Sequence, residues 1–180
     1  MESVVDRLFS EHNKVVGLLD EHSELSLRIA TEATLRKVLV LSAASYFERY
    51  ITDAVLRFVG DVSGESACVS ALVANKAVRR QYHTYFQWDG NSANSFFALF
   101  GTEFKARMKG IVRGDDDLAK GIQAFLTIGL ERNKMVHGDF GSYQIEKTTD
   151  EVMELYRRAT VFVERIPDYL DDCGVVDEEG

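Results

Sequence analysis

Only one proline occurs in the 180 residues, Pro167, near the far end of the chain. A proline inside a helix costs roughly 3 kcal/mol, because it removes a donor and clashes with the preceding turn. Its scarcity is what long uninterrupted helices require. Cysteine is almost as rare: Cys68 and Cys173 are the only two. They are too few for a disulfide framework or a cysteine-based zinc site, and both are expected to be reduced thiols. No segment approaches the roughly 20 consecutive apolar residues that span a bilayer. Met1-Glu2-Ser3-Val4-Val5-Asp6 is acidic and lacks the basic and then apolar regions of a signal peptide. Together these absences predict a cytoplasmic protein with no membrane contact. Metal-ligand spacing such as HExxH is missing, as are a phosphate-cradling loop, a dinucleotide fingerprint and a nucleophile elbow. Neither a metal nor a cofactor is expected.

Positive charge is in short supply too. Lys and Arg number 21 against 29 Asp and Glu, a net charge of −8, which argues against general nucleic-acid affinity. The distribution softens that objection. Between Lys76 and Arg113 lie Lys76, Arg79, Arg80, Lys105, Arg107, Lys109 and Arg113 against only Asp89 and Glu103. The acidic excess sits in the first helix and in a tail holding Asp168, Asp171, Asp172, Asp177, Glu178 and Glu179. A locally basic surface can hold a few phosphates, with strong salt sensitivity. Arg79, Arg80, Lys105, Arg107 and Lys109 are the residues expected to contact RNA.

What is present reads as one all-α domain over residues 1–170, followed by an acidic, frayed tail over 171–180. Hydrophobic content of 46% with 28% charged residues is ordinary globular composition. Apolar residues recur at helical spacing from about Val4 to Arg28 and again from about Thr31 to Val59. The run Ser42-Ala43-Ala44-Ser45 in the second helix is small enough for another helix to approach closely. Short helices are expected within Glu65–Tyr85, at Ala93–Phe100 and at Thr102–Val112. Asp115-Asp116-Asp117 caps the penultimate long helix, and Thr148 with Glu151 forms a capping box for a last helix reaching Ile166.

That penultimate helix carries the most informative stretch, Glu131-Arg132-Asn133-Lys134-Met135-Val136-His137-Gly138-Asp139. Leu118, Ile122, Phe125 and Gly129 form a 3.6-period stripe that Arg132 continues. A guanidinium on an inward face is costly to bury unless it is paired or opens into a cleft. Asn133 and His137 are one turn apart and share a face. Gly138 suits the left-handed residue that often ends a helix. Together they describe a polar site at a helix terminus. The bland reading places Arg132 in a helix-end ion pair and His137 on the last carbonyls.

Arg132-Asn133-x-x-x-His137 resembles the RNxxxH signature of HEPN domains, small all-helical proteins of which many are metal-independent ribonucleases. The helix carrying Ala44-Ser45-Tyr46-Phe47-Glu48 upstream, and the helix opened by Lys147-Thr148-Thr149-Asp150-Glu151 downstream, are similar to those of RiboL-PSP and related MAE-type members. The resemblance covers most of the chain. It implies a HEPN-type bundle of long antiparallel helices with short additional ones, acting as an endoribonuclease. Arg132 would then stabilise phosphate charge, His137 would move protons, and Asn133 would orient the histidine or the phosphate. One histidine does not easily perform both proton transfers, and similar nucleases dimerise so that two motifs share a groove.

Glu48 is the supporting residue. It is either a charge-assisted anchor for Arg132 or a surface partner within its own helix. The resemblance also implies a toxin or antiphage defence setting, with a neutralising or activating protein partner. The alternative is a non-catalytic HEPN module that binds a nucleotide, RNA or a protein. His12 and His22 read as packing or boundary residues, and His83 as a further possible RNA contact. Among Tyr82, Tyr85, Phe86, Trp88, Phe96 and Phe97, exposed rings could stack on bases, but most are expected in the core.

Overall fold

A computed structural model describes residues 3–173, and among the described residues it holds helices and no strand. Helix α1 (Val4–Glu21) opens on a reciprocal cap: the Asp6 N–H donates to the Ser3 hydroxyl at 3.0 Å, and the Ser3 N–H donates to the Asp6 carboxylate at 3.4 Å. The helix stops well short of the expected Arg28. Ser23 adopts φ 56°, its N–H donates to the Asp20 carbonyl, and the Glu24 N–H donates to the Leu19 carbonyl at 2.9 Å. This pairing is a Schellman stop, and it usually carries glycine at the left-handed position. A serine there leaves no signal in the sequence. His22, at the C-cap of α1, is a boundary residue as expected.

Helix α2 (Leu25–Val62) therefore starts earlier and ends later than its apolar pattern suggests. At 1.5 Å per residue it runs to roughly 57 Å, and α1, α7, α8 and α9 all pack along it. Shorter elements follow: α3 (Ala67–Val73) running into a π turn at Ala74–Val78, then α4 (Tyr82–Tyr85), α5 (Asn94–Ala98) and α6 (Thr102–Gly114). Two long helices, α7 (Asp116–His137) and α8 (Thr149–Val163), form the most extensive pair, and α9 (Ile166–Asp171) closes the described chain. Helix α8 ends before the expected Ile166. Pro167 lies in the first turn of α9, and its ring conflicts with the carbonyl four residues back, at Val163.

Both caps expected on the long C-terminal helices form. The Leu118 N–H donates to the Asp115 carboxylate at 2.9 Å, and Thr148 and Glu151 exchange bonds of 3.2 and 2.7 Å. Asp171 and Asp172, read from sequence as the start of a frayed tail, instead finish α9. Arg107 donates to the carbonyls of Tyr169 and Asp172 at 3.3 and 3.1 Å and ties that end to α6. Residues 174–180, the rest of the expected tail, lie outside the described residues, as do Met1 and Glu2. Among the described residues no helix is long and apolar enough to cross a membrane.

The core is strongly aromatic. Phe47 of α2, Phe86 of the loop after α4, Phe96 and Phe97 of α5, Phe125 of α7 and Phe162 of α8 are all buried. Phe86 stacks on Phe96 at 5.0 Å and meets Phe125 edge-on at 4.7 Å, while Phe125 meets Phe162 at 5.3 Å. Such contacts add about 0.5–1.5 kcal/mol each beyond area burial. Tyr85, Phe86, Phe96 and Phe97 are thus structural, as the composition led us to expect.

Asp115 joins two parts of this frame: it caps α7 and accepts a bond from Arg165 at 2.6 Å. Its bond from the Leu118 N–H, then the Arg165 guanidinium, holds its carboxyl below the usual range. A depressed carboxylate contributes stability above its unfolded pKa and loses it as pH falls through the folded one. Asp115→Asn should therefore lower the thermal midpoint at neutral pH. The gap from wild type should close as pH drops through the acid range, read by thermal denaturation across a pH series.

Candidate functional site

The C-terminal half of α7, the middle of α2 and the segment Arg80–Trp88 enclose a cavity of about 580 Å³. Ala44, Phe47 and Glu48 line it from α2. Phe125, Ile128, Gly129, Arg132, Asn133, Val136 and His137 line it from α7, and Arg80, Tyr82, His83 and Trp88 close the remaining side. One wall is apolar and aromatic. The polar groups gather near the C-terminus of α7.

Helical spacing accounts for the α7 contribution. Gly129, Arg132, Asn133, Val136 and His137 fall three or four residues apart and share a face. Arg132 is half-buried and reaches the cavity rather than a helix-end ion pair. Its Nη1 donates to the Asn133 Oδ1 at 3.0 Å, so Asn133 orients the arginine; among the described residues no hydrogen bond joins Asn133 to His137, the first of the two roles expected for it. A guanidinium carries five N–H donors, leaving the others available to an anion. His137 is exposed in the last turn. Gly138 corrects the expectation of a left-handed terminus, since its backbone is extended at φ −98°. A Cβ there would sit 2.9 Å from the Lys134 carbonyl oxygen. The position needs glycine for space, not for handedness.

Glu48 reaches the cavity from α2, but among the described residues no ion pair ties it to Arg132 within 4.0 Å. The anchoring pair considered from sequence does not form, and the two charges stand apart in one cavity. Tyr82 senses both. Burial pushes its hydroxyl well above the ordinary range, the Glu48 charge adds to the rise, and Arg132 opposes it.

The loop after α7 is strapped down by residues that sequence reasoning missed. Lys37 donates to the carbonyls of Phe140 and Gly141 at 2.7 and 3.1 Å and lies over the Phe140 ring. Arg36 donates to those of Ile145 and Lys147 at 3.2 and 3.3 Å. The Tyr143 hydroxyl donates to Glu131 at 2.7 Å; burial first, then this carboxylate, pushes it up to about 12. These bonds hold the His137 end of α7 in place. The Arg36 and Lys37 bonds join residues 103 to 111 positions apart, and no local pattern announces them.

The basic residues divide. Arg80 lines the cavity, at φ 62°, two residues after the π turn. A left-handed non-glycine residue is strained, and such strain concentrates at functional sites. Arg79 is exposed and donates to Asn75 at 2.9 Å. Lys105, Arg107 and Lys109 lie on α6, away from the cavity. Lys109 and Arg113 instead flank a second cleft of about 300 Å³ over Ala119, Ile122 and Gln123. Gln123 is nine residues before Arg132, roughly 13 Å along the helix. Arg107 is occupied in binding α9. His83, a weaker expectation, does line the cavity, and so do Tyr82 and Trp88. His12 packs in the core, 8% exposed. Among the described residues no group of three His, Cys, Asp or Glu side chains is placed to hold a metal.

An all-helical bundle with an arginine–asparagine–histidine set at the end of its penultimate long helix is the architecture of a HEPN domain. The RiboL-PSP-HEPN family model matches residues 6–172, and the chain belongs to that family. No curated protein and no solved structure matches it.

Trp88 closes the cavity on a bare stretch of α7. Its Nε1 donates to the His83 carbonyl at 2.9 Å, and its ring covers Gly129, where a Cβ would fall 2.1 Å from Cε3 and Cζ3. Gly129→Ala should therefore expel the indole without breaking α7, since alanine is the better helix former. Trp88 is the only tryptophan. A red-shifted emission with unchanged helical circular dichroism is the expected result, and an unmoved spectrum would refute this packing.

Proposed function

We propose that the protein is a metal-independent endoribonuclease working at this cavity. The observation that carries the reading is the convergence of Arg132, Asn133 and His137 on one cavity beside Arg80, in a family whose members include ribonucleases. Cleavage requires a base to take the 2′-hydroxyl proton as the 2′-oxygen bonds to phosphorus. It also requires an acid to protonate the 5′-oxygen as its bond to phosphorus breaks. Histidine titrates near neutrality and serves in either role. Arg132, steadied by Asn133, stabilises charge on the phosphate with its remaining donors.

A homodimer completes the proposal. His137 is exposed, and beside it Val136 and Phe140 are 51% and 47% exposed. Apolar surface at the mouth of a polar site supports a second copy covering it, and that copy would bring the second histidine. On the family resemblance the setting extends to a toxin or antiphage effector, with a protein that restrains or triggers it. The acidic balance and the apolar cavity wall favour a second reading, a HEPN module that binds nucleotide or RNA without cleaving it.

Arg132→Ala and His137→Ala should each lower RNA cleavage by about 10²–10⁴-fold, with helical content and oligomeric state intact. Cleavage by the wild type should persist in EDTA. Full cleavage by a folded His137→Ala protein would sink the mechanism, and an inert wild type would favour the binding module. A second measurement separates the basic residues. Arg80→Glu should weaken RNA affinity and flatten its salt dependence. Arg107→Glu should chiefly lower the thermal midpoint, because it releases α9.

A further inference from the structure

The polar and aromatic groups of the cavity form a pattern beyond what phosphate chemistry needs. Phosphoryl chemistry uses Arg132, His137 and Arg80, and leaves three features of the cavity without a task. The first is the aromatic wall, where Trp88 lies 5.6 Å from Phe125 and 5.6 Å from Tyr82, ring centre to ring centre. The second is the Glu48 carboxylate, which lines the cavity and accepts no side-chain or backbone hydrogen bond among the described residues. The third is the Tyr82 hydroxyl. Tyr82 is only 8% exposed, lines the cavity, and has no hydrogen-bond partner among the described residues.

A cavity with an apolar, aromatic wall beside cationic side chains suits an unstacked nucleobase, which RNA-binding proteins commonly hold against aromatic rings. The carboxylate then decides which base. A glutamate carboxylate offers acceptors only. Guanine alone presents two adjacent donors on its pairing edge, the ring N1–H and the exocyclic amino group. Adenine and cytosine present one donor beside an acceptor, and uracil one donor between two acceptors. Two carboxylate oxygens therefore gain two charge-assisted bonds with guanine and at most one with any other base. The guanine carbonyl oxygen needs a donor in return, and the Tyr82 hydroxyl is available to supply one.

We propose that the cavity is a guanine-selective base site in which Glu48 reads the base edge and Trp88 packs on its face. The proposal rests on the nuclease reading only in taking the cavity as the place where RNA binds. It assigns Glu48 to specificity. The nucleotide whose 2′-hydroxyl attacks keeps its phosphate on the 3′ side, so a guanosine 3′-phosphate places its base in the slot and its phosphate toward Arg132.

The experiment titrates the intact protein with the four nucleoside 3′-monophosphates and follows Trp88, the single tryptophan. Guanosine 3′-monophosphate should quench it with an affinity about ten-fold or more above the others, the worth of one additional charge-assisted bond. Glu48→Gln keeps the shape but replaces one acceptor with a donor. It should bring guanosine down to the level of the other three, with helical circular dichroism unchanged. Equal affinity for all four nucleotides overturns the proposal. So does no quenching by any of them at millimolar concentration, or a guanosine preference that survives Glu48→Gln. The measurement needs no turnover, so an inert nuclease leaves it intact. A protein that cleaves RNA but binds the four nucleotides equally refutes the base site alone.

Discussion

One buried ring holds the site together. Phe125 of α7 lies 5.7 Å from Phe47 of α2, 4.7 Å from Phe86, 5.6 Å from Trp88 and 5.3 Å from Phe162 of α8. Those four partners come from α2, the loop after α4 and α8, which bound or back the cavity. Removing so large a side chain from a packed core typically costs about 3–5 kcal/mol. Here it would also free the cavity's aromatic wall from the helix that carries Arg132. Core packing and site geometry are therefore the same set of contacts.

Charge is handled by separation. The chain is acidic, with a net charge of −8, yet Arg80 and Arg132 line one cavity in which Glu48 is the only carboxylate among the described residues. Several other basic residues have structural work. Arg107 ties α6 to α9, while Arg36 and Lys37 hold the loop that follows His137. A positive local field on an acidic protein needs only the few cations left unpaired in the right place. It is a matter of position rather than count.

Irregular backbone delivers the wall that regular helices lack. After the π turn at Ala74–Val78 and the left-handed Arg80, α4 and Trp88 line the cavity together with α7. Gly129 removes the one side chain that would keep the indole away. Insertions in the hydrogen-bond ladder and positive φ both cost free energy, and they persist where surrounding packing enforces them.

The helical class, the cap at Asp115, the capping box at Thr148 and the shared face of Asn133 and His137 were legible in the sequence. Each depends on residues within one or two turns of one another, where hydrogen-bond geometry and 3.6-residue spacing are decisive. The end of α1 and the start of α2 were less legible, because Ser23 fills a position that glycine normally marks. The role of Arg107, the separation of Glu48 from Arg132 and the entry of Trp88 were not legible at all. The cavity's walls come from residues as far apart as Ala44 and His137. Nothing in a local pattern specifies how such segments approach one another. That approach is set by how the buried side chains of the core, Phe125 foremost, fill their common volume without voids, and only the folded chain decides it.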